Sequence, residues 1–312
     1  MNVVYLGTPD FAVKPLEKIF GSRHNLIAVV TQTDKPKGRS GKPAFSPVKE
    51  AAISLGVPVL QYEKIRKEGV DDLKRLNADI FVTCAYGQIL SQEIIDIPRH
   101  GIINIHASLL PKYRGAAPVQ WSVINGDART GVTIMKTEAG IDTGPILTQK
   151  SLEIGEDETA GELFERLSDL GAEMITEALD LIESGKAVFT EQDHAEATYI
   201  KMLKKEDGLI DWSRSAEEVR NLVRGVNPWP SAYTYYCGKL LKIWSVEISR
   251  DTEKKGDAGE ILSSDKKYGI TVSTGSGALK IKELQLEGCK RMTAKDFLLG
   301  RSFTVGEKFS EK

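Results

Sequence analysis

Residues 104–118 read Asn-Ile-His-Ala-Ser-Leu-Leu-Pro-Lys-Tyr-Arg-Gly-Ala-Ala-Pro, and the run Gly101-Ile102-Ile103 leads into them. The apolar lead-in is what a buried strand looks like. Asn104 and His106 stand two residues apart, so on a strand they point to one face. A strand buried inside a parallel sheet ordinarily carries Val, Ile or Leu at such places. An amide and an imidazole there require either hydrogen-bonded partners or a chemical task. The carboxyl ends of parallel strands are where open α/β sheets bind their ligands. On these two residues alone both readings stand: a satisfied core Asn and His, or the start of a site.

Outward from this strand, strand-like and helix-like segments alternate. Val3–Leu6, Leu26–Thr31, Val57–Leu60, Asp79–Ala85 and Ile102–Ile105 read as strands; Phe11–Phe20, Pro47–Leu55, Val70–Leu76 and Val119–Ile124 read as helices. The rhythm predicts an α/β fold, a doubly wound and mostly parallel sheet with helices on both faces. Thr130–Lys136 and Ile146–Leu152 read as further strands, and Ala160–Ser184 as a long amphipathic helix. The first turn, Gly7-Thr8-Pro9-Asp10, lacks the Gly-x-Gly-x-x-Gly spacing, and Pro9 removes a backbone donor. A dinucleotide cradle is therefore not expected. The polar stretch 201–211 marks a boundary. After a helix at Ala216–Val226 and the turn Asn227-Pro228-Trp229-Pro230, the texture changes. The short segments Ala232–Tyr236, Leu240–Val246, Gly259–Leu262, Gly269–Ser273 and Ala278–Leu284, parted by glycine-rich turns, predict a small β-barrel.

A chain of 312 residues holds one large or two ordinary domains. Its 42 basic and 44 acidic side chains leave a net charge of −2, which excludes nucleic-acid binding by bulk charge. From Asp207 onward 18 Lys/Arg face 15 Asp/Glu, leaving 24 against 29 before it, as suits an acidic catalytic domain joined to one that meets an anion. Cys84, Cys237 and Cys289 form no metal pattern and read as thiols of a reducing compartment. The opening Met-Asn-Val-Val-Tyr-Leu-Gly reads as a strand without the basic region of a signal peptide. No stretch approaches the ~18 apolar residues of a membrane span. A cytoplasmic protein with no membrane contact is expected.

A second segment joins the first. Residues 138–146, Glu-Ala-Gly-Ile-Asp-Thr-Gly-Pro-Ile, place the carboxylate of Asp142 among Gly140, Gly144 and Pro145. Alone this is an Asx-type turn. Together, Asn-x-His-x-Ser-Leu-Leu-Pro and a downstream Asp in a glycine-rich loop resemble the formyltetrahydrofolate-dependent formyltransferase family. The resemblance spans nearly all of the chain. It implies a Rossmann-like catalytic domain over residues 1–206 and a barrel similar to an OB-fold over 207–312. It also implies transfer of a formyl group from 10-formyltetrahydrofolate, as co-substrate, to an amine. Such a transfer passes through a tetrahedral intermediate with an oxyanion, so the site must donate hydrogen bonds to that oxygen and move a proton. The chemistry needs neither a metal nor a covalent nucleophile. Asn104 would supply an amide donor, worth ~3 kcal/mol if it resembles other oxyanion-hole donors. His106 would donate to the same oxygen or relay the proton, and Asp142 would orient His106 and favour its protonated form.

The resemblance further implies folate contacts from Ser108, Leu109, Leu110 and Pro111, a rigid apolar wall with Ser108 as polar handle. The other reading of this stretch is a strand exit whose leucines fill core. Tyr86, Gln88, Ile89 and Leu90 would form a second wall that binds through backbone groups. Gln88 and Ser91 stand where the family carries an apolar residue and a proline, and Glu138 replaces an Asp.

The acceptor is read from Asp34-Lys35-Pro36-Lys37-Gly38-Arg39-Ser40-Gly41-Lys42-Pro43, with four basic residues against one acid. This is either a solvated loop or an arm for an anionic ligand. In the family, the subset acting on methionyl-tRNA carries such a basic insertion together with a C-terminal barrel. Glycinamide-ribonucleotide transformylases lack the barrel, and sugar-nucleotide formyltransferases carry a shorter, less basic loop. The resemblance thus implies a monomer acting in translation initiation, with methionyl-initiator tRNA held by Lys35, Lys37, Arg39 and Lys42. A sugar-nucleotide N-formyltransferase is the alternative. A non-catalytic RNA-binding descendant is disfavoured by the intact Asn104, His106 and Asp142. Lys112-Tyr113-Arg114-Gly115 reads as an anion contact or a solvated basic turn. His24, His100 and His194 read as surface or structural, and Trp121, Trp212, Trp229 and Trp244 as packing.

Overall fold

A computed structural model describes residues 1–36, 43–250 and 256–310 and divides the chain into two units. Met1–Pro118, Arg129–Glu153 and Phe164–Ile200 make the first; Val119–Ala128, Ile154–Leu163 and Lys201–Lys312 make the second.

The first unit alternates as its sequence does. Strands β1 (Asn2–Gly7), β2 (Asn25–Thr31), β3 (Val59–Gln61), β4 (Ile80–Cys84) and β5 (Ile102–His106) are followed by β6 (Arg129–Lys136) and β7 (Ile146–Glu153). Helices α1 (Val13–Phe20), α2 (Pro47–Ser54) and α3 (Val70–Arg75) lie between the early strands, and α4 (Ala160–Glu183) follows the last. The sheet runs β7-β6-β5-β4-β1-β2-β3, parallel from β5 to β3 and antiparallel at β6 and β7. Parallel strands need cover on both faces, and Val3, Val4, Tyr5, Leu6, Ile80, Phe81 and Val82 are all fully buried. Each such aliphatic or aromatic side chain contributes ~1.5–3 kcal/mol through burial. Helix α2 starts where Ser46 Oγ accepts the Lys49 N–H at 3.2 Å, with Pro47 in the first turn.

The expected boundaries fall within a residue or two of these. The difference that matters is at β5, which runs one residue past Ile105 and takes in His106. The strand order reverses between β1 and β4, and ligands of such sheets bind outside that switch point. There the two chain exits meet, Thr8 Oγ1 donating to Tyr86 O at 3.0 Å.

The second unit carries helix α5 (Ala216–Gly225) and strands β8 (Ala232–Tyr236), β9 (Lys239–Ile248), β10 (Ile261–Asp265), β11 (Gly269–Ser273), β12 (Ala278–Leu286) and β13 (Met292–Thr293). Its sheet is antiparallel, in the order β8-β9-β12-β11-β10, with β13 on β12. Ser215 and Glu218 cap α5 reciprocally, Glu218 N–H to Ser215 Oγ at 3.2 Å and Ser215 N–H to Glu218 Oε2 at 2.9 Å. Val219 and Val223 of that helix join Leu241, Ile243, Ile270 and Leu279 in one core. Near the C-terminus Ser310 bridges Tyr235 of β8 while Lys308 bridges Glu260, beside β10. This segment closes the two open edges of the sheet, which makes the expected barrel.

Trp212 is buried and donates to Thr234 Oγ1 at 3.1 Å. Trp229 departs from the packing expectation: it is 53% exposed in a turn between Pro228 and Pro230. Among the described residues, no helix is long and apolar enough to cross a membrane.

Candidate active site

Strand β5 brings Asn104 and His106 to one face beside β4 on one side and β6 on the other, with Asn104 opposite Thr83 and Met135 and His106 opposite Thr133. Asn104 is half-buried, and Thr83 Oγ1 donates to its Oδ1 at 2.8 Å. A hydroxyl bonded to the carbonyl end turns the amide so that its N–H groups are the outward end. The ring of His106 is buried, and its Nε2 lies 2.9 Å from Tyr113 O. A carbonyl only accepts, so Nε2 carries the proton and Nδ1 is the nitrogen left for chemistry. Asp142 Oδ2 lies 3.7 Å from that Nδ1, at ion-pair rather than hydrogen-bond distance. The structure thus brings all three expected groups into one corner of the first unit.

The Asp142 loop is held from two sides. Gly115 N–H donates to Asp142 Oδ2 at 2.8 Å, and Gln192 Nε2 donates to Asp142 O at 2.9 Å and Gly144 O at 2.7 Å. Asp142 sits in the left-handed region, φ 51°, as Asp tolerates better than most residues. Gly144 leaves room for a close crossing, since a Cβ there would lie 1.9 Å from Lys136 O. Gly115, at φ 105°, lets its strand segment pair with Ile200, whose carbonyl a Cβ would meet at 2.4 Å.

The Ser108–Pro111 stretch is stiff for reasons its residues did not announce. Ser108 was expected as the polar handle, but it is fully buried and its hydroxyl donates to Lys112 O at 2.7 Å, closing the turn. Thr133 Oγ1 donates to Ser108 O at 2.6 Å, and Gln149 Nε2 holds Leu110 O at 2.7 Å. Leu110 points into the core, while Leu109 and Pro111 stay half-exposed. Leu110 thus follows the core reading, and Leu109 is the leucine left partly open.

The second stretch divides likewise. Tyr86 is buried, its carbonyl taken by Thr8 and by Gln32 Nε2 at 3.1 Å, and burial raises its phenol well above the usual value. Gln88 clamps the chain beside it, accepting from Ile65 N–H at 2.9 Å and donating to Tyr62 O at 2.9 Å. An amide at this apolar family position is thus a structural strut. Leu90 packs on the core, and Ile89 alone of the four is prominently open, at 75% exposure.

Of the basic loop, Lys35 is exposed in a short ribbon in which Lys35–Pro36 pairs with Pro43–Ala44. Lys37, Arg39 and Lys42 lie outside the described residues. The ribbon's root is fixed by Lys49, whose Nζ donates to Asp34 Oδ2 at 2.6 Å and Gln61 Oε1 at 2.7 Å; that bond holds the Asp34 carboxyl below its usual range. Lys112 is exposed, but Arg114 is neither an anion contact nor part of a solvated turn, being 1% exposed. Of the histidines, His24 is buried against Asp180, at 3.1 Å from Nε2, and His194 touches Arg114. Thr83, Gln192 and the backbone of Tyr113 and Gly115 were not anticipated. Thr83 had a faint signal, a hydroxyl in the otherwise apolar Ile-Phe-Val-Thr-Cys strand, whereas Gln192 had none.

Residues 1–179 match the family described as formyl transferase, and residues 202–302 match the formyl transferase C-terminal domain. A methionyl-tRNA formyltransferase of Geobacter metallireducens is 50% identical over 301 residues, 96% of each chain. That of Geobacter sulfurreducens is 49% identical over 312 residues, 100% of this chain and 97% of its own. Among solved structures, an N-formyltransferase from Helicobacter canadensis in complex with folinic acid and dTDP-3-aminofucose superposes with a TM-score of 0.68. It covers 93% of this chain and 99% of its own at 18% identity, which speaks to the fold alone. With both of its parts matched and half its residues shared along nearly full-length relatives, the chain belongs to the formyl transferase family.

Proposed function

We propose that this chain transfers the formyl group of 10-formyltetrahydrofolate to the α-amino group of methionyl-initiator tRNA, for translation initiation. The observation that carries this reading is the 50% identity, over 96% of both chains, with an enzyme named for that acceptor. The convergence of one amide, one imidazole and one carboxylate at the end of β5 supports it independently. The sugar-nucleotide alternative leans on a neighbour that shares only 18% of its residues.

The donor, when bound, supplies a formyl carbon open to attack by an amine. The exposed Ala85, Gly87 and Ile89 after β4 and the half-exposed Leu109 and Pro111 are the surfaces that would hold it. As the amine adds to the carbonyl carbon, the formyl oxygen takes up negative charge. Asn104 N–H faces that charge, held in register by Thr83. The attacking nitrogen must lose a proton and the departing nitrogen must gain one. His106 Nδ1 accepts and returns that proton, while Asp142, 3.7 Å away, stabilises the ring when it is charged.

Residues 1–206 are assigned the chemistry and 207–312 tRNA binding, with Lys35, Lys37, Arg39 and Lys42 gripping the acceptor arm. A monomer in the cytoplasm satisfies these roles. The test supplies one folate donor with either charged initiator tRNA or an amino-sugar nucleotide and measures formylated product. Transfer to the tRNA is expected; transfer to the sugar alone contradicts the reading.

A further inference from the structure

Beneath the Asp142 loop lies a charge that formyl transfer as proposed does not use. Arg114 is 1% exposed, and its hydrogen-bond partners among the described residues include no carboxylate. Its Nε and Nη2 both donate to Gln192 Oε1, at 3.1 and 2.7 Å. Its Nη1 donates to Tyr199 OH at 3.0 Å, and its Nη2 lies 3.0 Å from His194 Nδ1. A guanidinium can only donate, so each of these groups must accept. Burying a charge among neutral acceptors costs free energy, and it is tolerated where the hydrogen bonds do something geometric.

The geometry is an amide with no freedom to flip. With Oε1 held by two guanidinium N–H groups, the Gln192 nitrogen must face the other way. There it donates to Asp142 O at 2.9 Å and Gly144 O at 2.7 Å. The loop needs such a tie, because residues 139–141 are exposed and Ile141 is 64% so. The residue after Arg114 completes the grip, Gly115 N–H holding the Asp142 carboxylate at 2.8 Å.

We propose that Arg114 and Gln192 are positioning residues for formyl transfer: the buried guanidinium locks the Gln192 amide, and the amide's two donors fix the Asp142 carboxylate against His106. This rests on the reading that Asp142 acts with His106. Gln192→Glu separates the role from mere packing. It keeps the volume and strengthens the Arg114 contact, yet sets a carboxylate oxygen against two carbonyl oxygens and so pushes the loop away.

Single-turnover transfer to methionyl-initiator tRNA is compared for parent, Gln192→Glu, Asp142→Asn and the double variant, with the Michaelis constants for both substrates. The expected result is a rate ~10- to 100-fold below parent for Gln192→Glu, the scale of a displaced catalytic group. Michaelis constants should stay near the parent's, and in the Asp142→Asn background the same change should cost less than ~2-fold. A parental rate for Gln192→Glu, or an equal loss in both backgrounds, overturns the proposal. Should Gln192→Glu fail to fold, Gln192→Met removes the same donors without a buried charge and carries the same comparison. A parent that does not formylate the tRNA overturns the functional reading and the clamp with it, whereas an active parent with additive losses overturns the clamp alone.

Discussion

Replacing the pair Thr83 and Asn104 in graded steps tests whether the amide is aimed as well as present. Thr83→Val removes the hydroxyl that lies 2.8 Å from Asn104 Oδ1 and keeps a β-branched residue in β4. The lost neutral hydrogen bond is worth ~0.5–1.5 kcal/mol. At ~1.4 kcal/mol per decade, a loss felt fully in the transition state slows transfer ~2- to 10-fold. Asn104→Ala removes the donor itself, ~3 kcal/mol, or ~100-fold. It strands little, because Thr83 Oγ1 also lies 3.4 Å from Ile103 O. Asn104→Asp keeps the shape and the Thr83 bond but sets a negative charge toward the developing oxyanion. Two like charges ~4 Å apart repel by ~4 kcal/mol at an effective dielectric of ~20. The rates should therefore fall in the order parent, Thr83→Val, Asn104→Ala, Asn104→Asp. The assay is single-turnover formyl transfer with saturating donor, backed by melting curves to confirm folding. Asn104→Asp as active as Asn104→Ala, or Thr83→Val as damaged as Asn104→Ala, would refute the reasoning.

Three further outcomes are expected. Asp142→Asn retains an oxygen for the Gly115 N–H, so the fold should stand while turnover drops ~10- to 100-fold or more, and an unchanged rate would reduce Asp142 to a turn residue. Burial pushes the Cys84 thiol up to about 12 while Cys237 is exposed and Cys289 partly so. Being raised, it stays a neutral thiol through pH 8, with thiolate at ~1 part in 10,000, so a disulfide reagent should titrate two thiols in the native protein and the third only in denaturant. Arg39→Ala should weaken methionyl-tRNA binding without altering folate affinity, and binding should fall with salt by ~0.7–0.9 log units per phosphate contact per log unit; salt-independent binding would contradict a phosphate grip.

Much of the site was readable because polar residues in buried strands are rare and costly. Asn104 and His106 interrupt an apolar run, and Asp142 sits alone among glycines, so each stands out in the linear chain. Thr83 did not stand out as functional, since its meeting with Asn104 depends on the β4–β5 register, which only the paired sheet displays. Gln192 lies 50 positions from Asp142 in a polar stretch, and no local pattern marks it. Arg114 was misplaced because a basic residue between Tyr and Gly is ordinarily solvated, and only the fold shows what surrounds it. The same blindness affected Ser108, whose hydroxyl closes its own turn. The strands and helices of the first sheet were legible from periodicity to within a residue or two, whereas in the second unit Gly259–Leu262 was read for Ile261–Asp265 and the short strand Met292–Thr293 was not read. The recruitment of Val119–Ala128 and Ile154–Leu163 into the second unit was not, because it depends on long-range packing.

The most direct measurement is pre-steady-state transfer of labelled formyl from 10-formyltetrahydrofolate to methionyl-initiator tRNA, by parent and by Asn104→Ala, His106→Ala and Asp142→Asn. Efficient transfer by the parent is expected, with Asn104→Ala and His106→Ala slowed by two or more orders of magnitude while folate affinity stays near parental, since those groups act mainly on charge that exists only after attack. Transfer by all three variants at the parent's rate, or a parent that leaves the tRNA unformylated, would contradict it.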